Sequence, residues 1–125
     1  MKIRFQTKRQ LFLAFMALSA LAGSLPVLAG PASETSWSGV VTYVVDGDTV
    51  RVRPPAGGKP VSIRIEGIDA PEICQSGGTN ARDALSRQIL NRQVDVHSKA
   101  HDDYGRTVAR IVLKGKDQGK WMVEN

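Results

Sequence analysis

From Trp37 to Leu113 the apolar residues fall in short, largely β-branched runs, and clusters of Gly, Pro or Asp cut each run off after a few positions. Val40, Val41, Tyr43, Val44 and Val45 lead into Asp46-Gly47, a tight turn, and Thr49, Val50 and Val52 lead out of it. Pro54-Pro55-Ala56-Gly57-Gly58-Lys59 is a loop. Val61, Ile63 and Ile65 then alternate with Ser62, Arg64 and Glu66, so a third strand has one apolar face and Arg64 lies on the other. The stretch from Gly67 to Gly78 is a loop, and Thr79 to Leu90 reads as a helix with Ala81, Ala84, Leu85 and Ile89 as its apolar stripe. Val94 and Val96, then Val108, Ile111 and Leu113, make two further strands joined by the hairpin Asp102-Asp103-Tyr104-Gly105-Arg106. After a turn at Gly115 to Gly119, Trp121-Met122-Val123 opens another element. The expected architecture is a small β-rich α+β domain. Five short strands with a helix after the third suit a closed barrel such as an OB-fold.

The first 29 residues read as an export signal. Lys2, Arg4, Lys8 and Arg9 form a positive head, Leu11 to Ala22 an apolar core, and Val27-Leu28-Ala29 a small-residue cleavage site. Gly23 and Pro26 interrupt the apolar run short of the ~20 residues a spanning helix needs, so no stable membrane association is expected after cleavage. The 125 residues less these 29 leave 96, enough for one small domain. Gly30 to Ser38 reads as a flexible leader and 39–125 as the domain. Four of the 17 Lys and Arg belong to the signal and none of the 12 Asp and Glu do, so the remainder carries 13 against 12, or +1. A globally basic surface is thereby excluded, and any attraction to phosphate has to come from local placement. The lone Cys74 has no internal disulfide partner and no neighbouring His to activate it, so it reads as a loop thiol or as one whose partner lies beyond Asn125.

The residues that carry chemistry sit in three blocks: VVDGDTVRV (44–52), IRIEGIDAPE (63–72) and DDYGR (102–106). Asp48 and Asp69 are oxygen donors suited to a hard cation, whereas His97 and His101 lie outside the blocks, which argues against zinc or copper. Glu72 follows Asp69 by three positions and can act on a water as general base. Arg64 and Arg106 supply planar, bidentate donors for phosphate. Taken singly, each has a plainer reading: Asp48 as hairpin chemistry, each arginine as a surface charge, Tyr104 as either a stacking ring or a turn residue. Asp46 is assigned to the turn.

Together the blocks resemble the staphylococcal (thermonuclease) nuclease family, in order and spacing, from about Gly39 to Asn125. The resemblance implies an OB-fold barrel and a calcium-dependent endonuclease acting on DNA and RNA to leave 3′-phosphate ends. It implies Asp48, Asp69 and the Ala70 backbone carbonyl as Ca2+ ligands, and Arg64, Glu72 and Arg106 as catalytic residues. Ala70 stands where the family's type enzyme has threonine, a change that a backbone carbonyl tolerates. Asp103 stands where that enzyme has lysine. Family members continue past Asn125 into further helices, so the domain is expected to be incomplete at its C-terminus, with its closing helices missing. The expected substrate is a single-stranded or locally melted nucleic acid, cut by a monomer that is periplasmic or secreted. Two alternatives stay open: a catalytically silent OB-type nucleic-acid-binding module, and an inactive fragment.

Overall fold

The computed structural model describes residues 33–125 continuously, together with Gly23, Ser24, Pro26 and Gly30. The expected signal at 1–29 lies outside the described residues apart from three of these. In chain order the elements are β1 (Thr35–Val44), β2 (Thr49–Arg53), β3 (Val61–Ile65), α1 (Gly78–Ile89), β4 (Gln93–His101), β5 (Thr107–Leu113), β6 (Lys116–Asp117) and α2 (Gln118–Glu124). β1 pairs antiparallel with β2 and with β4, β2 with β3, and β4 with β5. A parallel ladder, Ile63 to Thr107, Arg64 to Val108 and Ile65 to Ala109, joins β3 to β5 and closes a five-stranded barrel. This is the expected OB-fold, with its helix after the third strand.

Closure follows from the period-two pattern. Val41, Val50, Val52, Ile63, Ile65, Val96, Ala109 and Ile111 all point inward and are fully buried, and Leu85 and Ile89 of α1 join them. Each such Val, Leu or Ile contributes about 1.5–3 kcal/mol of burial. Helix α1 starts at a close approach: an ideal Cβ on Gly78 would meet the carbonyl carbon of Glu72 at 2.7 Å and Ile73 Cα at 2.9 Å. It ends at Ile89, and two residues on, Asn91 takes the left-handed conformation (φ 60) that Asn adopts more readily than most residues. The Asn91 N–H donates to the Val41 carbonyl (2.8 Å), fastening the helix end to β1.

Two boundaries differ from expectation. β1 begins at Thr35, inside the stretch read as a leader, because Thr35 to Ser38 pair with Asp95 to Ser98 of β4. Polar contacts hold that end: Ser38 Oγ donates to Asp95 Oδ1 (2.6 Å) and Trp37 Nε1 to Ser98 Oγ (3.2 Å). At the other end the element opened by Trp121 is a helix, α2, capped by Asp117, whose side chain accepts from the Lys120 N–H (3.1 Å). Met122 packs on the barrel core. Among the described residues, no helix is long and apolar enough to cross a membrane.

Candidate active site

The β1–β2 turn builds the first part of the site. Asp46 Oδ1 accepts the N–H of Asp48 (3.1 Å), a local Asx turn that aims Asp48 at the barrel wall rather than at solvent. Asp48 is 5 % exposed. Its Oδ1 accepts from Thr49 Oγ1 (2.9 Å) and its Oδ2 from the Ala70 N–H (2.9 Å), so both oxygens are engaged. Burial foremost, then contact with Asp48 and the negative charges of Asp48 and Glu72, hold the Asp46 carboxyl above its ordinary value of 3.8, against the pull of the Asp48 N–H.

β3 supplies Arg64, on the face opposite the buried Ile63 and Ile65 as its alternation requires. Its Nη1 donates to the carbonyls of Ile65 (2.8 Å) and Ile68 (2.7 Å), bending the following loop around it. Its Nη2 lies 3.3 Å from Asp48 Oδ2 and 3.5 Å from Asp69 Oδ1. Asp69 is otherwise open, its side chain 97 % exposed. The two carboxylates expected to share a cation therefore already face one positive charge, that of Arg64.

The β4–β5 hairpin supplies Arg106. Asp102 organises it: Oδ1 accepts the N–H groups of Tyr104 (3.0 Å) and Arg106 (2.9 Å), and Oδ2 accepts from Arg106 Nε (2.7 Å). Desolvation pushes the Asp102 carboxyl up, but these hydrogen bonds outweigh it and hold the group below 3.8. With Nε fixed, Arg106 Nη1 reaches Thr49 Oγ1 (3.4 Å) and Nη2 has no partner among the described residues. A continuous chain of contacts thus runs from Arg106 through Thr49 to Asp48, and from Asp48 to Ala70 and Arg64. Tyr104 is 85 % exposed, with the Arg106 guanidinium 5.4 Å from its ring centre.

Arg64, Asp69, Asp102 and Arg106 line one open cleft of about 530 Å³. Glu72 is not among them. It lines a neighbouring cavity of about 650 Å³ together with Asp69, Ala70 and Gln75, so Asp69 is the shared rim. The backbone of Glu72 is set by Gln75, whose side chain accepts the Glu72 N–H (2.8 Å) and whose N–H donates to the Glu72 carbonyl (2.8 Å). The Glu72 carboxylate makes no hydrogen bond among the described residues. Of the residues singled out in the sequence, the structure gathers Asp48, Arg64, Asp69, Ala70 and Arg106, and sets Glu72 beside them.

Thr49 and Asp102 are the members that sequence reasoning passed over. Asp102 had a readable signal, an Asp three positions before a Gly in a hairpin, which is Asx-turn chemistry. Thr49 had none, because a Thr in a strand gives no sign that its hydroxyl turns back to the preceding carboxylate. Among the described residues no three His, Cys, Asp or Glu side chains gather as metal ligands. Two carboxylates converging on one charge, beside backbone carbonyls, nonetheless form an oxygen-only donor set that fits a hard cation.

Comparison with known proteins agrees with this geometry. Residues 62–125 match the family model described as "Staphylococcal nuclease homologue". Protein ParB of Escherichia coli is 38 % identical over 107 residues, covering 83 % of this chain and 56 % of that protein. A micrococcal nuclease of Shigella flexneri is 33 % identical over 98 residues, covering 78 % and 55 %. The endonuclease YhcR of Bacillus subtilis is 30 % identical over 112 residues, 78 % of this chain but 9 % of that protein. The chain spans about half the length of the first two relatives. With the barrel closed as expected, the second and third blocks lining one cleft and Asp48 of the first in contact with Arg64 behind it, this chain belongs to the staphylococcal nuclease homologue family.

Proposed function

We propose that this protein is an exported, calcium-dependent endonuclease that hydrolyses phosphodiester bonds of DNA and RNA in single-stranded or locally melted stretches. It acts as a monomer in the periplasm or outside the cell. The observation that carries the reading is the convergence of two guanidinium groups, Arg64 and Arg106, on one open cleft. Export is supported by the tripartite pattern of residues 1–29.

In this reading a phosphate enters between the two arginines, which grip its non-bridging oxygens through planar forks. Arg106 is pre-aimed, because Asp102 holds Nε and leaves Nη2 for the ligand. Arg64 exchanges its contacts with Asp48 and Asp69 for contacts with phosphate. Glu72 takes a proton from water as the water oxygen attacks phosphorus, the P–O5′ bond breaks, the departing 5′-oxygen takes a proton from solvent to become a hydroxyl, and a 3′-phosphate is left. Base catalysis by a carboxylate accounts for about 10²–10⁴ of the rate. The larger share comes from fixed positive charge against a phosphate gaining negative charge. Asp48, Asp69 and the Ala70 carbonyl would hold the calcium ion, whose contribution when bound is Lewis-acid charge beside the phosphate. Tyr104, exposed beside Arg106, meets a sugar or base in this reading.

The test is cleavage of a fluorogenic single-stranded DNA oligonucleotide by the full chain, in calcium and in excess chelator, with Glu72→Gln alongside. Calcium-dependent cleavage that falls by at least ~10² in the variant is the expected result. Tight binding of the oligonucleotide in calcium without any cleavage overturns the enzyme reading in favour of a binding module.

A further inference from the structure

Charge is unevenly distributed along this chain. The segment from Thr49 to Ile65 contains Arg51, Arg53, Lys59 and Arg64 and no Asp or Glu, although the chain past Ala29 is close to neutral. On β2 Thr49, Val50 and Val52 are buried and Arg51 and Arg53 are exposed; by alternation Thr49, Arg51 and Arg53 lie on one side of the strand, buried at its cleft end and open beyond it. Thr49 is the residue in contact with Arg106. Arg51 and Arg53 therefore continue outward from the cleft in steps of about 6.6 Å, two strand residues each. Across the ladder Tyr43 pairs with Arg51, whose guanidinium carbon is 5.4 Å from the ring centre. Tyr43 remains 55 % exposed, so its ring is open to a ligand. Beyond it, Val40, Arg53, Pro54 and Pro55 line a largely apolar cavity of about 320 Å³.

We propose that the outward face of β1 and β2 is a second binding site, which takes the single strand of nucleic acid flanking the bond held in the cleft. Arginines at regular intervals along an extended strand match a ligand with a regularly repeating charge. The open tyrosine offers a stacking platform that accepts any base, and Arg51 against its ring adds a cation to that platform. An acidic polypeptide satisfies the arginines but brings no flat ring to Tyr43, so the face favours nucleic acid. The proposal rests on the nuclease reading of the adjoining cleft for its direction, and it gives that enzyme a grip on long substrates that the cleft alone lacks.

Binding is measured by fluorescence anisotropy on the full chain in excess chelator, so that cleavage plays no part. The probes are labelled oligothymidylate of twelve nucleotides and a thymidine dinucleotide. For the double variant R51E/R53E, affinity for the twelve-mer falls about tenfold or more, affinity for the dinucleotide changes less than about twofold, and the log–log salt slope becomes shallower by about 1.4. Tyr43→Ala weakens the twelve-mer about tenfold, and Tyr43→Phe restores it. R51Q/R53Q repeats the measurement without charge reversal, should the first variant melt early. A twelve-mer affinity that is the same in wild type and all these variants overturns the proposal. So does displacement of the twelve-mer by poly-glutamate as efficient as by unlabelled DNA. Tyr43-dependent binding in a chain that cleaves nothing in calcium supports the face and refutes the nuclease reading alone.

Discussion

Replacing Thr49 by Val exchanges a hydroxyl for a methyl of nearly the same size at a buried position, and so isolates what that hydroxyl does. It donates to Asp48 Oδ1 at 2.9 Å. Asp48 is buried, so water cannot take over the donation freely, and a hydrogen bond to an ionised group is worth about 1.5–3 kcal/mol. The second contact, Arg106 Nη1 at 3.4 Å, is long and adds little. The expected loss of stability is about 2 kcal/mol, which in a domain of this size lowers Tm by about 8–16 °C. Thr49→Ser keeps the hydroxyl and gives up one methyl, costing about 0.8 kcal/mol. Arg106 keeps its 2.7 Å contact with Asp102, so kcat in Thr49→Val falls no more than about tenfold, equivalent to ~1.4 kcal/mol of orientation. The assay is thermal denaturation by circular dichroism on the three proteins at neutral pH, with oligonucleotide cleavage in parallel. If the Val and Ser variants melt within about 2 °C of each other, the hydroxyl does not support the carboxylate and the reasoning fails.

Three further outcomes follow from the same geometry. Asp102 is held below its ordinary 3.8, so its contribution to stability is present above that pH and is lost as pH falls through the lower folded value. Urea denaturation across this range therefore shows the gap between wild type and Asp102→Asn closing in acid, while at neutral pH the variant also cleaves more slowly because Arg106 is less well aimed. Gly78→Ala pushes a methyl against the Glu72 backbone and shifts a side chain it never touches. Its kcat falls about 10²-fold with the strand signal in circular dichroism retained. Leu85→Ala, at a fully buried site, costs about 2–5 kcal/mol in chemical denaturation, a large part of what a domain this small holds.

The barrel was legible because its strands alternate: Ile63 and Ile65 against Arg64 announces both an inward and an outward face. Helix α1 was legible for the corresponding reason at its own period, with Leu85 and Ile89 buried as the stripe requires. The start of β1 was not, because Thr35 to Ser38 are held by polar cross-strand contacts that leave no hydrophobic rhythm. The site divides along similar lines. Residue types, Asp48, Arg64, Asp69 and Arg106, could be chosen from short blocks, since the chemistry of phosphate restricts the choice. Relations between blocks could not. Spacing says nothing of Arg64 resting between Asp48 and Asp69, nor of Glu72 lying in the cavity next door.

The parallel ladder between β3 and β5 has a consequence for how activity arises during folding. It is formed by residues about forty positions apart, among the more expensive loops to close in a chain of this length. Arg64 stands on one of those strands and Arg106 immediately precedes the other, so the two guanidinium groups meet only when that seam is made. A partly folded chain with its hairpins in place but the seam open has both arginines and no cleft. Recovery of cleavage during refolding is then a direct clock for closure of the barrel. It should trail spectroscopic signals that report strand content alone.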